Sequence, residues 1–366
     1  MATQAGCIPS PTLQKNEAEA KRMTGTVRSL VSFSLACGLL LIAGRARADE
    51  LLVGNKSADS VWRLSVRDGR KIGEFRTGKA PHEIAVAGNG RFALVSNYGR
   101  ETSGNTLSVL DLVTGKPTRS IDLGEYGAPH GLRLLPGDRR ALVTTESSAS
   151  LLIVDVERGV VERVIEVGEG TGHMVALSPD AKTAYLTKIN AGTLSRVDLI
   201  SGLKTHERAA GKGAEGVAVS PDGKEVWVTN RQEGAVTVHD PASLALRRRM
   251  SSKGFPIRVV FAADGRYALV TNATAANLAV FDARTKLRVA TVELAEPGVS
   301  YRQSMLGDTA MPIGAVVDSA RQRVYVAISG GDRIAVIDTR EWKVVDHWPA
   351  GREPDALGLV PGRSGR

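Results

Sequence analysis

The chain has 366 residues, enough for a large hydrophobic core, and its 42% hydrophobic and 24% charged content is typical of a globular protein. Its net charge of +9 is spread along the sequence, and the one tight basic cluster, Arg247 to Arg249, falls on a predicted outer strand. Nucleic-acid binding is therefore not indicated. Both cysteines, Cys7 and Cys37, lie in an N-terminal segment that we predict to be removed. The mature chain would then have no disulfide, no thiolate metal site and no cysteine nucleophile.

The N-terminal segment has the features of an export signal. Basic residues are followed by an apolar run over residues 30–44 and by the small-residue cleavage pattern Ala46-Arg47-Ala48. This order predicts a signal peptide over residues 1–48, with Met23 as the natural start and the periplasm as the destination. The apolar run is shorter than the roughly 20 residues of a membrane-spanning helix, and an uncleaved anchor stays open as the alternative. We expect no transmembrane segment in the mature chain, residues 49–366.

One pattern then recurs seven times, at a spacing of about 42 residues. Each copy has four strand-length segments, here called A to D, separated by turn residues. The paired B and C segments of the seven copies are 51–55 with 61–65, 92–97 with 107–111, 141–145 with 151–155, 184–187 with 194–198, 226–230 with 236–240, 267–272 with 278–282, and 324–327 with 334–338. Because no long helical periodicity interrupts this series, the predicted class is all-β, with four-stranded antiparallel blades.

The two ends of the repeat predict how the blades close into a ring. The first copy begins directly at its B segment, near Leu51, with no A segment before it. The missing segment is found at residues 354–359, which match the A segment of the second copy at residues 81–86. A C-terminal strand that completes the first blade would close the ring and remove open sheet edges. The sequence therefore predicts a seven-bladed β-propeller over residues 49–366.

Two B segments carry a recognisable phrase, Val226-Trp227-Val228-Thr229-Asn230 and Ala268-Leu269-Val270-Thr271-Asn272. Preceded by Asp-Gly turns, these phrases resemble the YVTN repeat family of β-propellers, and the resemblance extends over residues 51–360. It implies a seven-bladed, secreted or periplasmic bacterial protein. It implies less about activity, because the family includes surface proteins, poorly characterised periplasmic proteins, and relatives of lactonases and of d1-haem propellers.

The residue that opens each A segment is expected at one mouth of the central channel. In blade order these residues are Asp355, His82, His130, His173, Glu215, Ile257 and Ile313. Half of the six histidines thus share one repeat phase. Imidazoles with a carboxylate suit Zn²⁺ or Cu²⁺, so His82, His130 and His173 are the predicted metal ligands. The same residues suit an anionic ligand or proton transfer, and polar channel mouths also occur without a function.

Two insertions on the same face add candidate ligand contacts. Residues 98–105 form the B–C loop of the second blade and place Tyr98 beside the histidines. Residues 297–312 form the longest break in the repeat and contain Tyr301 and Arg302. Long insertions on one face of a regular scaffold often carry function, and Tyr and Arg are frequent recognition residues. We therefore predict that these three side chains contribute to the ligand site.

Two kinds of function fit these residues. The favoured one is a monomeric periplasmic propeller that binds a small ligand, a metal or a protein partner at the histidine-lined mouth without turnover. The alternative is a metal-dependent or lactonase-like enzyme, or a binder of a d1-haem-type tetrapyrrole, that uses the same side chains. The first is favoured because the sequence shows no recognisable nucleophile with an activating base. Zinc or copper is the candidate cofactor.

Overall fold

The structure is a computed structural model that describes residues 50–304 and 306–362. The predicted signal peptide, residues 1–48 with Met23, lies outside the described residues. Seven four-stranded antiparallel sheets, a two-stranded hairpin and a short 3₁₀ helix make up the secondary structure of the described part. None of its helical segments has the length and apolar character needed to cross a bilayer.

Each blade is one sheet with its strands in the order A, B, C and D. The strands, blade by blade, are β1 (Glu50–Asn55), β2 (Ser60–Ser65) and β3 (Lys71–Arg76) with β30 (Pro354–Val360); β4 (Pro81–Val86), β5 (Phe92–Gly99), β6 (Ser103–Asp111) and β7 (Lys116–Asp122); β8 (Pro129–Leu134), β9 (Arg140–Thr145), β10 (Ser150–Asp155) and β11 (Val160–Glu166); β12 (Gly172–Leu177), β13 (Thr183–Lys188), β14 (Thr193–Asp198) and β15 (Leu203–Ala209); β16 (Ala214–Val219), β17 (Val226–Asn230), β18 (Ala235–His239) and β19 (Leu246–Ser251); β20 (Pro256–Phe261), β21 (Tyr267–Asn272), β22 (Asn277–Asp282) and β23 (Arg288–Glu293); β26 (Pro312–Asp318), β27 (Arg323–Ile328), β28 (Arg333–Asp338) and β29 (Lys343–Pro349). The hairpin of β24 (Gln303–Ser304) and β25 (Gly307–Asp308) precedes blade 7, and the 3₁₀ helix, Ser329–Gly331, follows β27.

The C-terminal strand closes the ring as predicted. β30 pairs antiparallel with β1, from Val360 opposite Glu50 to Pro354 opposite Asn55, and so supplies strand A of blade 1. The predicted all-β, seven-bladed propeller is therefore confirmed, including the displaced strand.

The hydrophobic core lies in layers between neighbouring blades. Between blades 2 and 3, for example, Leu94 and Leu107 pack against Leu132 and Val143, and all four are fully buried. Similar clusters of buried hydrophobic side chains fill the other blade interfaces. Burial of each such side chain contributes about 1.5–3 kcal/mol, so every blade depends on both neighbours for its stability.

Strand A begins in the same way in every blade, and this beginning shapes the channel. A residue with a left-handed backbone precedes each strand: Glu353, Ala80, Ala128, Thr171, Gly213, Phe255 and Met311. A β-bulge then interrupts the pairing of strands A and B within the first residues of strand A in all seven blades. Because a bulge breaks the regular alternation of side chains, two consecutive residues of each strand A can face the channel.

Candidate functional site

Three histidines from neighbouring blades lie in ring-to-ring contact at the channel mouth. The ring centroids of His82 and His130 are 4.0 Å apart, and those of His130 and His173 are 3.7 Å apart. Tyr98 presents its ring edge-on to His82 at 5.1 Å and to His130 at 5.8 Å. The three histidines are dozens of positions apart in sequence, and they meet because each lies at the start of strand A of its own blade. Tyr98 lies on the neighbouring strand B of blade 2.

His173 is held on both ring nitrogens by carboxylates. Its Nε2 donates to Glu215 Oε1 at 2.9 Å, and its Nδ1 is in hydrogen-bond contact with Glu146 Oε1. Burial by itself would lower the pKa of His173, but Glu215 and Glu146 together raise it to about 9. The other oxygens of these carboxylates also have partners, since Tyr98 donates to Glu146 at 2.6 Å and Arg231 lies 2.8 Å from Glu215. Burial of Glu215 would raise the pKa of its carboxyl, but the contact with His173 lowers that pKa below its ordinary value.

His82 forms a second imidazole–carboxylate pair at the other side of the stack. Its Nδ1 lies 3.1 Å from Asp355 Oδ2, and Lys56 Nζ approaches the same oxygen at 3.9 Å. Asp355 is 1% exposed, and burial would raise its pKa, but His82, Lys56 and Arg258 lower it to about 2. The carboxylate is therefore ionised at neutral pH.

His130 lies between these two pairs, and no carboxylate of the described residues forms a hydrogen bond or ion pair with its ring. It is 2% exposed, and its Nδ1 has no hydrogen-bond partner within the described residues. Burial lowers its pKa well below the ordinary value, and the neighbouring His173 and His82 lower it further. His130 is thus neutral at physiological pH and keeps a lone pair for a ligand.

A row of hydroxyl groups fixes the backbone on which these side chains stand. The hydroxyls of Ser96, Thr144 and Thr187, all near the end of strand B, donate to the main-chain carbonyls of the site residues in the next blade: His130 (3.0 Å), His173 (2.5 Å) and Glu215 (2.5 Å). The same hydroxyls accept the N–H of the second channel residue in their own blade. Each hydroxyl therefore ties a bulged strand A to its neighbour and sets the spacing of the site residues.

The group best placed to hold a metal ion consists of His130, His173 and Glu146. One possible ligand atom from each lies within 4.8 Å of those of the other two. Glu215 would remain on Nε2 of His173 as an outer carboxylate, which is the arrangement that orients histidine ligands in many metal sites. The structure thus brings Glu146 to the place where the sequence pattern alone suggests His82, while His82 pairs with Asp355.

The rest of the mouth is apolar. Ile257 packs with Ala273 and Met311 in a small cluster that Phe255 and Ile313 also join. The hydrogen bonds of the insertion residues Tyr301 and Arg302 lie away from the histidines. The Tyr301 hydroxyl accepts the N–H of Glu296 at 2.7 Å, and Arg302 donates to Asp332 at 2.6 and 2.7 Å. Arg302 thus holds the insertion to blade 7, and Tyr301 bonds to the segment that leads into the insertion. Tyr98, in contrast, lies among the histidines as predicted.

Comparison with known proteins decides the family. A family model described as a YNCE-like beta-propeller matches residues 105–365. The chain belongs to this family. No curated protein matches the sequence.

Among solved structures, the YNCE-like chain is similar to hydrazine synthase from Kuenenia stuttgartiensis, with a TM-score of 0.65 and 18% identity over 80% of this chain and 92% of that one. It is also similar to a functionally unknown protein from Desulfotomaculum acetoxidans DSM 771, with a TM-score of 0.71 and 14% identity over 86% and 100% of the two chains. At these identities the likeness concerns the fold alone.

Three site residues of this YNCE-like propeller, Lys56, Glu146 and Arg231, are missed by the analysis of strand A. Each is the first residue after a strand B, and Tyr98 is at the equivalent position of the repeat in blade 2, where β5 continues for two more residues. The B–C loops open on the same face as the start of strand A, so these positions form a second ring at the mouth. Aligning the copies at the end of strand B would have found this ring in the sequence.

Proposed function

We propose that this chain is an exported, periplasmic YVTN-type propeller. It binds one divalent transition metal ion, zinc or copper, at the histidine-lined mouth of its central channel, without turnover. Two observations carry the proposal: the convergence of His130, His173 and Glu146, and the buried, unpartnered Nδ1 of His130. Neutral imidazole and carboxylate donors suit both metals. A fully buried imidazole nitrogen without a partner is uncommon unless something else binds it.

The charges around the histidines support a cationic ligand. Three ionised carboxylates, Glu146, Glu215 and Asp355, face two cationic side chains, Lys56 and Arg231. The raised pKa of His173 means that its imidazole is protonated at neutral pH, so the charges of the mouth balance. Loss of that proton on metal binding leaves a net negative charge that the bound cation compensates. In a metal complex the ion would take the place of the proton on Nδ1 of His173, while Glu215 keeps the ring in position.

The test is elemental analysis of the protein purified from a periplasm, before and after reconstitution with zinc or copper. We expect about one equivalent in the wild type and a loss of most of it in His130→Ala and Glu146→Gln, since each variant removes one of three protein donors. His206→Ala, which alters an exposed histidine on the outer strand β15, is the matched control and should keep the metal.

The melting temperature of the metal-free variants separates loss of ligands from loss of fold. Failure of the reconstituted wild type to hold either metal would reject the proposal. So would equal metal content in the wild type and in correctly folded His130→Ala and Glu146→Gln. The same preparations distinguish the alternatives: visible absorbance would indicate a bound tetrapyrrole, and metal-dependent hydrolysis of lactones would indicate an enzyme.

A further inference from the structure

The end of the channel opposite the histidines contains a cavity with a volume of about 650 Å³. Strands A of six blades line it, together with the A–B turns of blades 2, 3 and 4, so it opens on the face away from the histidines. Its volume lies within the range of about 300–1,000 Å³ that is usual for small-molecule sites. This cavity shares no lining residue with the histidine site.

A buried ion pair closes the inner end of the cavity. Arg258 of blade 6 reaches across the channel to Glu83 of blade 2, and its second amino group lies 3.0 Å from the sulfur of Met174 in blade 4. These residues directly follow Ile257, His82 and His173 in strand A, and they are the second of the two channel residues that each bulge exposes. The pair therefore separates the cavity from the histidine mouth.

A second guanidinium in the cavity, that of Arg133, has no such partner. Its Nη1 donates to the main-chain carbonyl of Leu132 at 2.9 Å, and no carboxylate of the described residues forms an ion pair with it. Burial lowers the pKa of Arg133, and the nearby Glu83 carboxylate opposes this change. The side chain is half-buried and lines the cavity. The remaining acidic group of the lining, Asp138, belongs to an A–B turn and accepts the N–H of Gly88 at 2.9 Å.

The walls around Arg133 are aliphatic. The apolar lining includes Ile84, Val86, Leu134, Leu177, Val260 and Leu357. A planar guanidinium binds a carboxylate through two parallel hydrogen bonds, and aliphatic walls favour a hydrocarbon body. One guanidinium without an ion-pair partner matches a ligand with one negative charge better than a phosphate with two.

We infer that this cavity binds a small monocarboxylate with an apolar body, its carboxylate on Arg133 and its hydrocarbon chain along the aliphatic walls. This is a site separate from the metal site at the mouth and does not depend on it.

Calorimetric titration of the full mature chain with octanoate, in the presence of a chelator, tests the inference. The wild type should bind one octanoate saturably, and 1-octanol, which has the same chain without the charge, should bind at least about tenfold more weakly. Arg133→Gln should lose at least about tenfold in octanoate affinity, because it removes the charge-assisted hydrogen bonds. Arg139→Gln, at an exposed position of the same blade, should bind as the wild type does.

Two further variants keep the result decisive. Arg133→Lys retains the charge without the planar fork, and an intermediate affinity is expected even if Arg133→Gln is poorly folded. His130→Ala should bind octanoate with unchanged affinity, so that failure of the metal site does not affect this test. The inference is overturned by absence of saturable binding to the wild type, by equal affinity for octanol, by unchanged affinity in folded Arg133→Gln, or by loss of octanoate binding in His130→Ala.

Discussion

The two ends of the central channel are built from consecutive residues and have opposite chemistry. At the histidine end, carboxylates and imidazoles converge, and these donor atoms suit a metal cation. At the arginine end, two guanidiniums face one buried carboxylate in an aliphatic cavity, and the balance favours an anion. His82 and Glu83 are neighbours in sequence, as are Ile257 and Arg258, yet one residue of each pair faces each end.

The bulge in strand A explains how one strand serves both ends. A regular strand would point every second side chain into a blade interface, leaving only alternate residues for the channel. The bulge brings a second residue of strand A to the axis, and in blades 2, 4 and 6 the side chains of these residues, Glu83, Met174 and Arg258, meet there as a partition. The comparison predicts that each end can be altered without changing the other.

The largest effect is expected from breaking the partition. Glu83→Gln leaves Arg258 buried without its counter-ion and should lower the free energy of unfolding by about 3–5 kcal/mol. The double variant Glu83→Gln/Arg258→Met removes both charges and should recover most of that loss. Urea unfolding of the metal-free proteins gives both values.

Arg139→Gln supplies the matched control for this measurement. Arg139 lies 3.7 Å from Asp155 but is largely exposed, so its loss should change stability by about 0–1 kcal/mol. If Glu83→Gln behaves like this surface control, the buried pair does not stabilise the channel.

A smaller, pH-dependent effect is expected at Asp355 in the histidine end. The pKa of this buried carboxyl is about 2, against 3.8 in its ordinary state. Its contribution, about 2 kcal/mol, should be present above pH 3.8 and be lost as the pH falls through 2. The stability difference between wild type and Asp355→Asn should therefore shrink between about pH 4 and pH 2.

Unfolding by urea at a series of acidic pH values, with a chelator present, measures that difference. The charged groups that set this pKa are His82, Lys56 and Arg258, and the last two keep their charge over the whole range. A difference that stays constant with pH would contradict the assignment of an ionised Asp355.

The smallest effect is expected from Glu215, which contacts His173 but is not a proposed ligand. Glu215→Gln should weaken zinc or copper binding by about tenfold, because outer carboxylates orient histidine ligands. The loss should stay modest, since all three proposed ligands, His130, His173 and Glu146, are retained. Competition with a coloured chelator measures the affinity, and octanoate binding at the arginine end should not change. Unaltered metal affinity would mean that Glu215 has no orienting role.

The period of the repeat was sufficient to predict which histidines meet. In a ring of equal blades, residues of equal phase lie at equal height, so His82, His130 and His173 were found without coordinates. Contacts between residues at different positions of the repeat could not be predicted in this way. Glu146 meets His173 across a blade boundary, and Arg258 meets Glu83 across the whole channel, over 175 residues of sequence.

The insertion before blade 7 marks another limit of the sequence. Tyr301 and Arg302 have the chemistry of recognition residues, but their direction depends on how residues 297–312 fold. The structure gives them partners in Glu296 and Asp332, whereas Tyr98, on an extension of strand β5, is directed at the histidines by the strand itself. A regular strand fixes the direction of a side chain, and an irregular loop does not.

The sequence by itself determined the seven blades, the closing strand and the phase that places three histidines at one mouth, because these follow from a fixed period and a closed ring. Only the tertiary structure decided which nitrogen faces which carboxylate, and that neighbouring residues of one strand face the two ends of the channel. Those features depend on bulges and on side chains that cross between blades, and neither follows from the local pattern of the repeat.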